Sequence, residues 1–201
     1  MKIAILNDTH CGIRNSSQIF LDNTKDFYDN VFFPECEKHN IKQVVHLGDY
    51  YDHRKFVNFK ALNHNRKCFL NELRKRGMMM DIIPGNHDTY YKNTNDLNAL
   101  KELLGHYMNE IHIIMEPTVM EYGSLKMGLL PWINSENYEQ SMNFIRDCKA
   151  DWLGAHLELY GFDMLKGIPN KHGMDPKVVS RFEQVISGHF HTASQLSLIH
   201  I

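Results

Sequence analysis

Gln43-Val44-Val45-His46-Leu47-Gly48-Asp49-Tyr50-Tyr51-Asp52 is the segment on which the fold turns. The short aliphatic run Gln43–Leu47 reads as a buried strand. It stops at a glycine and passes at once into a carboxylate-bearing loop. The same switch recurs along the chain. Lys2–Leu6 reads as a first strand and runs into Asn7-Asp8-Thr9-His10. Met78–Ile83 is a third, ended by Pro84-Gly85 and followed by Asn86-His87-Asp88. Trp152–His156 ends on its own histidine, and Gln184–Gly188 leads into His189-Phe190-His191. Between the strands, Ser17–His39, Phe59–Arg76, Asp96–Leu104 and Glu136–Lys149 read as helices. Phe20, Phe27, Val31 and Cys36 mark the apolar face expected of the first, and Asp96 is the expected cap of the third. Ile111–Leu130 holds two or three consecutive strands with a turn at Gly123. Strands alternating with helices predict an α/β fold, and the consecutive strands predict a second, mixed sheet.

The composition narrows the class. The chain has 201 residues, 43% of them hydrophobic and 23% charged, which suits one sizeable globular domain. Its 13 histidines outnumber its 12 glycines. Histidine is the commonest metal ligand and a frequent proton carrier, so that excess points to chemistry. The net charge of −2 excludes a global basic field. No apolar run approaches the roughly 18 residues of a membrane span, and no signal-peptide core is present at the start. A cytoplasmic location with no membrane partner is therefore expected. Cys11, Cys36, Cys68 and Cys148 are scattered, with no C-x-x-C pair, so neither a zinc ribbon nor a redox motif is indicated.

Strand ends are where α/β folds place their chemistry. Carboxylate, amide and imidazole groups all suit a hard-to-borderline divalent ion. The spacing of Asp8-x-His10 and of His189-x-His191 puts both side chains on one side of an extended segment. A glycine before Asp49, Asn86 and His189 permits a sharp turn beside a crowded site. Each cluster alone is more often a polar loop or turn than a ligand set, and His156 alone more often a satisfied, half-buried histidine. Five such clusters at five strand ends carry the inference.

This ordered set, from Asp8 to His191, resembles the calcineurin-like metallophosphoesterases. Within them it is most similar to the double-strand-break repair nucleases, the bacterial SbcD-type and T-even-phage subunits. The likeness rests on Gly48-Asp49-Tyr50-Tyr51-Asp52-His53-Arg54-Lys55, Asn86-His87-Asp88, Tyr91-Lys92-Asn93, Pro131-Trp132, Glu158–Gly173 and Gly188-His189-Phe190-His191-Thr192. The resemblance implies a four-layer α/β/β/α sandwich with mixed sheets and two divalent ions. Asp8, His10, Asp49 and His191 would hold one ion. Asp49, Asn86, His156 and His189 would hold the other, with Asp49 shared. Mn²⁺ is the ion favoured by the resemblance and by oxygen and nitrogen donors without thiolate, with Fe²⁺ or Mg²⁺ as alternatives. His87 would protonate or stabilise the leaving oxygen, and Asp88 would orient its ring. Asp52 reads either as an orienting group or as a plain carboxylate on the approach to a helix.

The charge is uneven. His53–Arg76 holds Arg54, Lys55, Lys60, Arg66, Lys67, Arg74, Lys75 and Arg76 against Glu72 alone. A basic stripe beside a phosphodiesterase site suits a phosphate backbone, although a solvated helix face explains the Arg74–Arg76 end equally well. Arg54, Lys55 and Lys92 lie nearest the metal motifs and are the expected phosphate contacts. His53 and His172 are further candidates for substrate. Three readings follow: a Mn²⁺-dependent DNA exo- or endonuclease subunit of recombination and repair, a phosphodiesterase or phosphatase for small substrates, and a silent binding scaffold. The filled ligand positions disfavour the third, and the basic stripe and the Glu158–Gly173 loop favour the first. The resemblance also implies further C-terminal strands, a DNA-capping domain, docking of an SbcC-type ATPase subunit and a possible homodimer. On this reading residues 1–195 are an incomplete catalytic domain, and Leu196–Ile201 a non-native tail.

Overall fold

The computed structural model of the protein describes residues 1–191; the expected non-native tail lies outside them. β1 (Ile3–Leu6), β2 (Gln43–His46), β3 (Met79–Ile82) and β4 (Ile111–Ile113) form an all-parallel sheet in that order. β5 (Thr118–Tyr122), β6 (Leu125–Leu130) and β7 (Trp152–His156) belong to a second sheet. β8 (Asp163–Leu165) and β9 (Ile168–Pro169) make a small separate hairpin, which the sequence reading did not anticipate. β10 (Gln184–Gly188) completes the second sheet in the order β10-β7-β6-β5, parallel except for the β5–β6 hairpin. The expected mixed second sheet is thus present.

Alternation along the strands separates the layers. In β2, Val44 packs outward with Tyr28, Phe69 and Leu73 of the helices. Its neighbour Val45 faces the other sheet, with Leu47, Met127 and Leu129. Leu153 and Ala155 of β7 face away again, toward Ile145 of the helix Tyr138–Asp147. The order is helices, sheet, sheet, helix. The two sheets approach closely at Gly154, where an added Cβ would lie 2.9 Å from Leu47 of the first sheet.

Two helical readings need correction. The first long helix runs as Gln18–Phe27, a π turn Tyr28–Phe32, and Phe33–Lys38. Its buried face is Leu21, Tyr28, Phe32, Phe33 and Cys36, whereas Phe20, Phe27 and Val31 are exposed at 39%, 42% and 50%. Leu21, Tyr28, Phe32 and Cys36 keep helical spacing and Phe33 widens that stripe, so the buried face lies one position on from the expected Phe20, Phe27 and Val31. The second long helix also holds a π turn, Arg66–Leu70, in which Cys68, Phe69 and Leu70 are buried. The third helix begins at Ala99, and its cap is Asn98 rather than Asp96. Asn98 Oδ1 accepts from Lys101 N at 2.9 Å, satisfying an otherwise free first-turn amide.

Candidate metal centre

The parallel pairing of β1 and β2 continues past both strands into their loops. Leu47 N donates to Leu6 O, Asp8 N to Gly48 O at 3.0 Å, and His10 N to Asp49 O at 3.0 Å. This zipper sets Asp8 and His10 beside Asp49. In the second sheet, Gly188 pairs in register with His156, so His189 emerges next to His156. The amide of His189 then donates to the Asp8 carboxylate at 3.1 Å, tying the sheets together at the rim.

The donors converge in two groups. His10 Nε2 lies 2.9 Å from His191 Nε2 and 3.8 Å from Asp8 Oδ1, and His191 Nε2 is 3.6 Å from Asp8 Oδ1. In the second group Asn86 Oδ1 lies 3.1 Å from His156 Nε2 and 2.9 Å from His189 Nδ1. Asp49 Oδ2 faces both, at 3.7 Å from His10 Nε2 and 3.4 Å from His156 Nε2. Ligands held about 2.0–2.2 Å from one ion sit roughly 3–3.5 Å apart, so these spacings fit the edges of coordination shells. All seven residues expected as ligands are brought together.

The histidines differ in protonation: for His156 burial lowers the pKa, but the hydrogen bond and charge of Asp49 outweigh this and raise it. Burial lowers the pKa of His10 and of His189, favouring the neutral imidazole that binds metals. His156 Nδ1 donates to Leu47 O at 2.8 Å, which frees Nε2 to face Asp49 and Asn86. Burial opposes the charge on Asp49, but the hydrogen bond from His156 and its charge hold that carboxyl well below the usual range. Cys11 sits beside His10 but is no donor. Burial raises its thiol to about 12, and its Sγ points at Ala61 O, 3.6 Å away.

Crowding fixes the backbone. Asp8, His10, Asp49 and His189 adopt left-handed φ of 51°, 41°, 52° and 99°. That conformation is uncommon outside glycine and clusters at functional sites. At Gly85 an added Cβ would lie 2.3 Å from both Asp49 N and Asp49 Oδ1.

His87 lies at the edge of the donor set. Its amide donates to Asp49 Oδ1 at 2.7 Å, and its Nδ1 to Asp52 O at 2.6 Å, leaving Nε2 unengaged. Asp88 does not orient that ring. It is fully buried, and its carboxylate accepts from the amides of Gly85, Tyr50 and Tyr51 at 2.9, 3.2 and 2.9 Å. It therefore clamps the β2 and β3 loops together. Burial, then the nearby Asp49 charge, raises its pKa to about 7. Asp52, which the sequence left undecided, is brought to the centre, with Oδ1 3.5 Å from His10 Nδ1.

The expected substrate contacts are more dispersed. His53 stacks on Phe56 and lies 3.3 Å from Asp52 Oδ2. Lys55 Nζ lies 5.4 Å from the centre of the Tyr90 ring. Arg54 is half-buried, and burial lowers its pKa although the Asp49 charge opposes this. Lys92 is exposed, and so is His172, on the loop after β9. The far end of the basic stripe is neutralised: Arg74 pairs with Glu110, and Lys75 and Arg76 with Glu72. Sequence reasoning singled out Trp132 only as part of a motif, yet its ring lies 5.3 Å from that of His189 and 5.8 Å from that of His156.

Two stacked sheets that aim carboxylate, amide and imidazole donors at one rim define a metal-dependent phosphoesterase site. The comparisons agree: the calcineurin-like phosphoesterase family matches residues 1–193, and the chain belongs to that family. It is 32% identical over 199 residues to "Exonuclease subunit 1" of Enterobacteria phage T4, covering 97% of this chain. The chain spans about 56% of the length of that relative. Among solved structures, the Pseudomonas putida nuclease MPE matches with a TM-score of 0.37 and 20% identity, over 63% of this chain and 52% of the other. No helix among the described residues is long and apolar enough to cross a membrane.

Proposed function

We propose that the protein is a two-metal nuclease subunit that hydrolyses phosphodiester bonds in DNA, with Mn²⁺ as its ion. The observation that carries the two-metal reading is Asp49 Oδ2, placed between His10 Nε2 and His156 Nε2 at 3.7 and 3.4 Å. Asp8, His10, Asp49 and His191 would hold one ion, and Asp49, Asn86, His156 and His189 the other. Such ions supply charge stabilisation on phosphoryl oxygens and activate water for in-line attack. The protein's own groups do the rest. The Asp52 carbonyl accepts from His87 Nδ1, so Nε2 is the ring atom left to take up a proton and, from the imidazolium, give it to the leaving oxygen. Asp88 positions rather than reacts, holding the loops that carry Asp49 and Asn86. Arg54, Lys55 and Lys92 would meet the phosphate backbone, with His53 and His172 further out.

DNA as substrate is supported by the phage relative, named an exonuclease subunit, and by Arg54 and Lys55 next to the β2 loop, which form no ion pair among the described residues. The word subunit in that name supports a partner, and an SbcC-type ATPase, a homodimer, a role in recombination and repair, and a cytoplasmic location all belong to this proposal. The test is cleavage of single-stranded and duplex DNA, beside a small phosphodiester, with and without Mn²⁺. Mn²⁺-dependent cleavage of DNA is expected. Hydrolysis of the small ester with none of DNA would replace this reading with a small-substrate phosphodiesterase.

A further inference from the structure

A groove of about 230 Å³ opens beside the metal donors, between the loops after β6 and β7. Trp132, Tyr138, His156, Glu158 and Met174 line it. His156 belongs to both sites, so the groove begins where the ligands end. We propose that this groove seats one unpaired nucleobase of the nucleic-acid strand whose phosphate lies at the metal donors, with Trp132 as its stacking platform. The proposal rests on the nuclease reading above and adds the form of substrate: a strand end or single strand with its base out of the stack.

Three observations carry it. First, Trp132 is held rigidly although it lies outside any strand or helix. Its amide donates to Pro84 O at 2.9 Å, and its carbonyl accepts from Asn95 Nδ2 at 2.8 Å and Asn137 Nδ2 at 3.0 Å. Asn134 locks this frame by donating to Asn95 Oδ1 at 2.9 Å, and Asn95 and Asn134 are both buried. A backbone fixed in advance leaves only the ring's own torsions to be ordered on stacking. Second, the ring already packs on His156 and His189, so a base stacked on it lies next to the phosphate position. Third, Glu158 lines the groove and turns an oxygen toward Asn170 Nδ2 at 3.4 Å. A carboxylate repels the phosphate backbone and accepts from exocyclic amines, so it selects the base edge and excludes the backbone. The half-exposed ring of Tyr138 closes the outer side.

The test uses oligonucleotides that carry, at the nucleotide next to the cleaved bond, either a normal base or an abasic sugar. In the wild type, removing the base should lower kcat/KM about tenfold, within the range of one base–aromatic stack. In Trp132→Ala the intact and abasic strands should be cut equally, and Trp132→Phe should restore the difference. Because each comparison is made within one variant, a general loss of activity cancels. A second readout needs no turnover. A 2-aminopurine base at that position should lose fluorescence on binding the metal-free wild type and keep it on binding metal-free Trp132→Ala. Equal cutting of intact and abasic strands by the wild type overturns the base subsite while leaving the nuclease reading in place. A tenfold difference that persists in Trp132→Ala does the same. Absence of DNA cleavage by the wild type with any divalent ion overturns both.

Discussion

The imidazole of His87 is held by a single ring hydrogen bond, from Nδ1 to the Asp52 carbonyl, while its neighbour Asp88 turns the other way into the protein. Their substitutions should therefore fail differently. His87→Ala removes a group at the edge of the donor set and none of the donors. Turnover should fall about 10²- to 10⁴-fold, the usual worth of a general acid, while Mn²⁺ binding measured by calorimetry stays intact. Wild-type turnover in that variant would remove His87 from the reaction. Asp88→Ala instead leaves three buried amides without an acceptor. It should lower the free energy of unfolding by at least about 3 kcal/mol, read from denaturant midpoints. A variant as stable as the wild type would show that the clamp between the β2 and β3 loops carries no load.

At the scale of elements, the strand ends hold the site because their loops touch. Gly85 is the tightest of these contacts, with no room for a Cβ against the backbone amide and carboxylate of Asp49. Backbone atoms cannot step aside as a flexible side chain can. Gly85→Ala should thus weaken metal binding, seen in a Mn²⁺ titration, while circular dichroism of the helices is unchanged. The strands and their terminal donors were readable from sequence because an aliphatic run that breaks at a glycine into Asp, Asn or His is a local signal. The buried face of the first helix was not. Phe20, Phe27 and Val31 and their successors Leu21, Tyr28 and Phe32 form adjacent stripes of the same spacing, and the choice between them is made where Tyr28, Phe32 and Phe33 meet Phe69 of the second helix, a tertiary event. A core contrast tests this. Phe69→Ala should cost about 3–5 kcal/mol, and Phe27→Ala, although equal in size, under about 1 kcal/mol. Equal losses would place Phe27 on the buried face. The roles of Asp52 and Trp132 stayed open for a similar reason: each acquires its place only when loops from different strands are brought together.

Across the whole molecule, the donors are divided between the layers. The first sheet supplies Asp8, His10, Asp49 and Asn86; the second supplies His156, His189 and His191. Elsewhere the sheets meet through apolar side chains such as Val45, Leu47, Met127 and Leu129. Ions at the rim would therefore add cross-links between two layers that otherwise meet through apolar burial and a few hydrogen bonds, such as His189 N to Asp8 and Tyr122 Oη to Asp81 Oδ2. They would also compensate the left-handed backbone at Asp8, His10, Asp49 and His189, which costs of order 1–3 kcal/mol at each residue. A ligand that binds only the folded state stabilises it by RT ln(1 + [L]/Kd), about 2.7 kcal/mol per site at a hundredfold excess over Kd. Mn²⁺ should accordingly raise the thermal midpoint of the metal-free chain by several degrees, and EDTA should reverse the rise. Because Asp49 faces both groups, Asp49→Asn should abolish most of that shift. His191→Ala touches one group only and should retain part of it. If no divalent ion moves the midpoint of the wild type, the convergence of donors at this rim is not a metal site. If His191→Ala loses as much as Asp49→Asn, the two groups bind as one and Asp49 is not a bridge between separable sites.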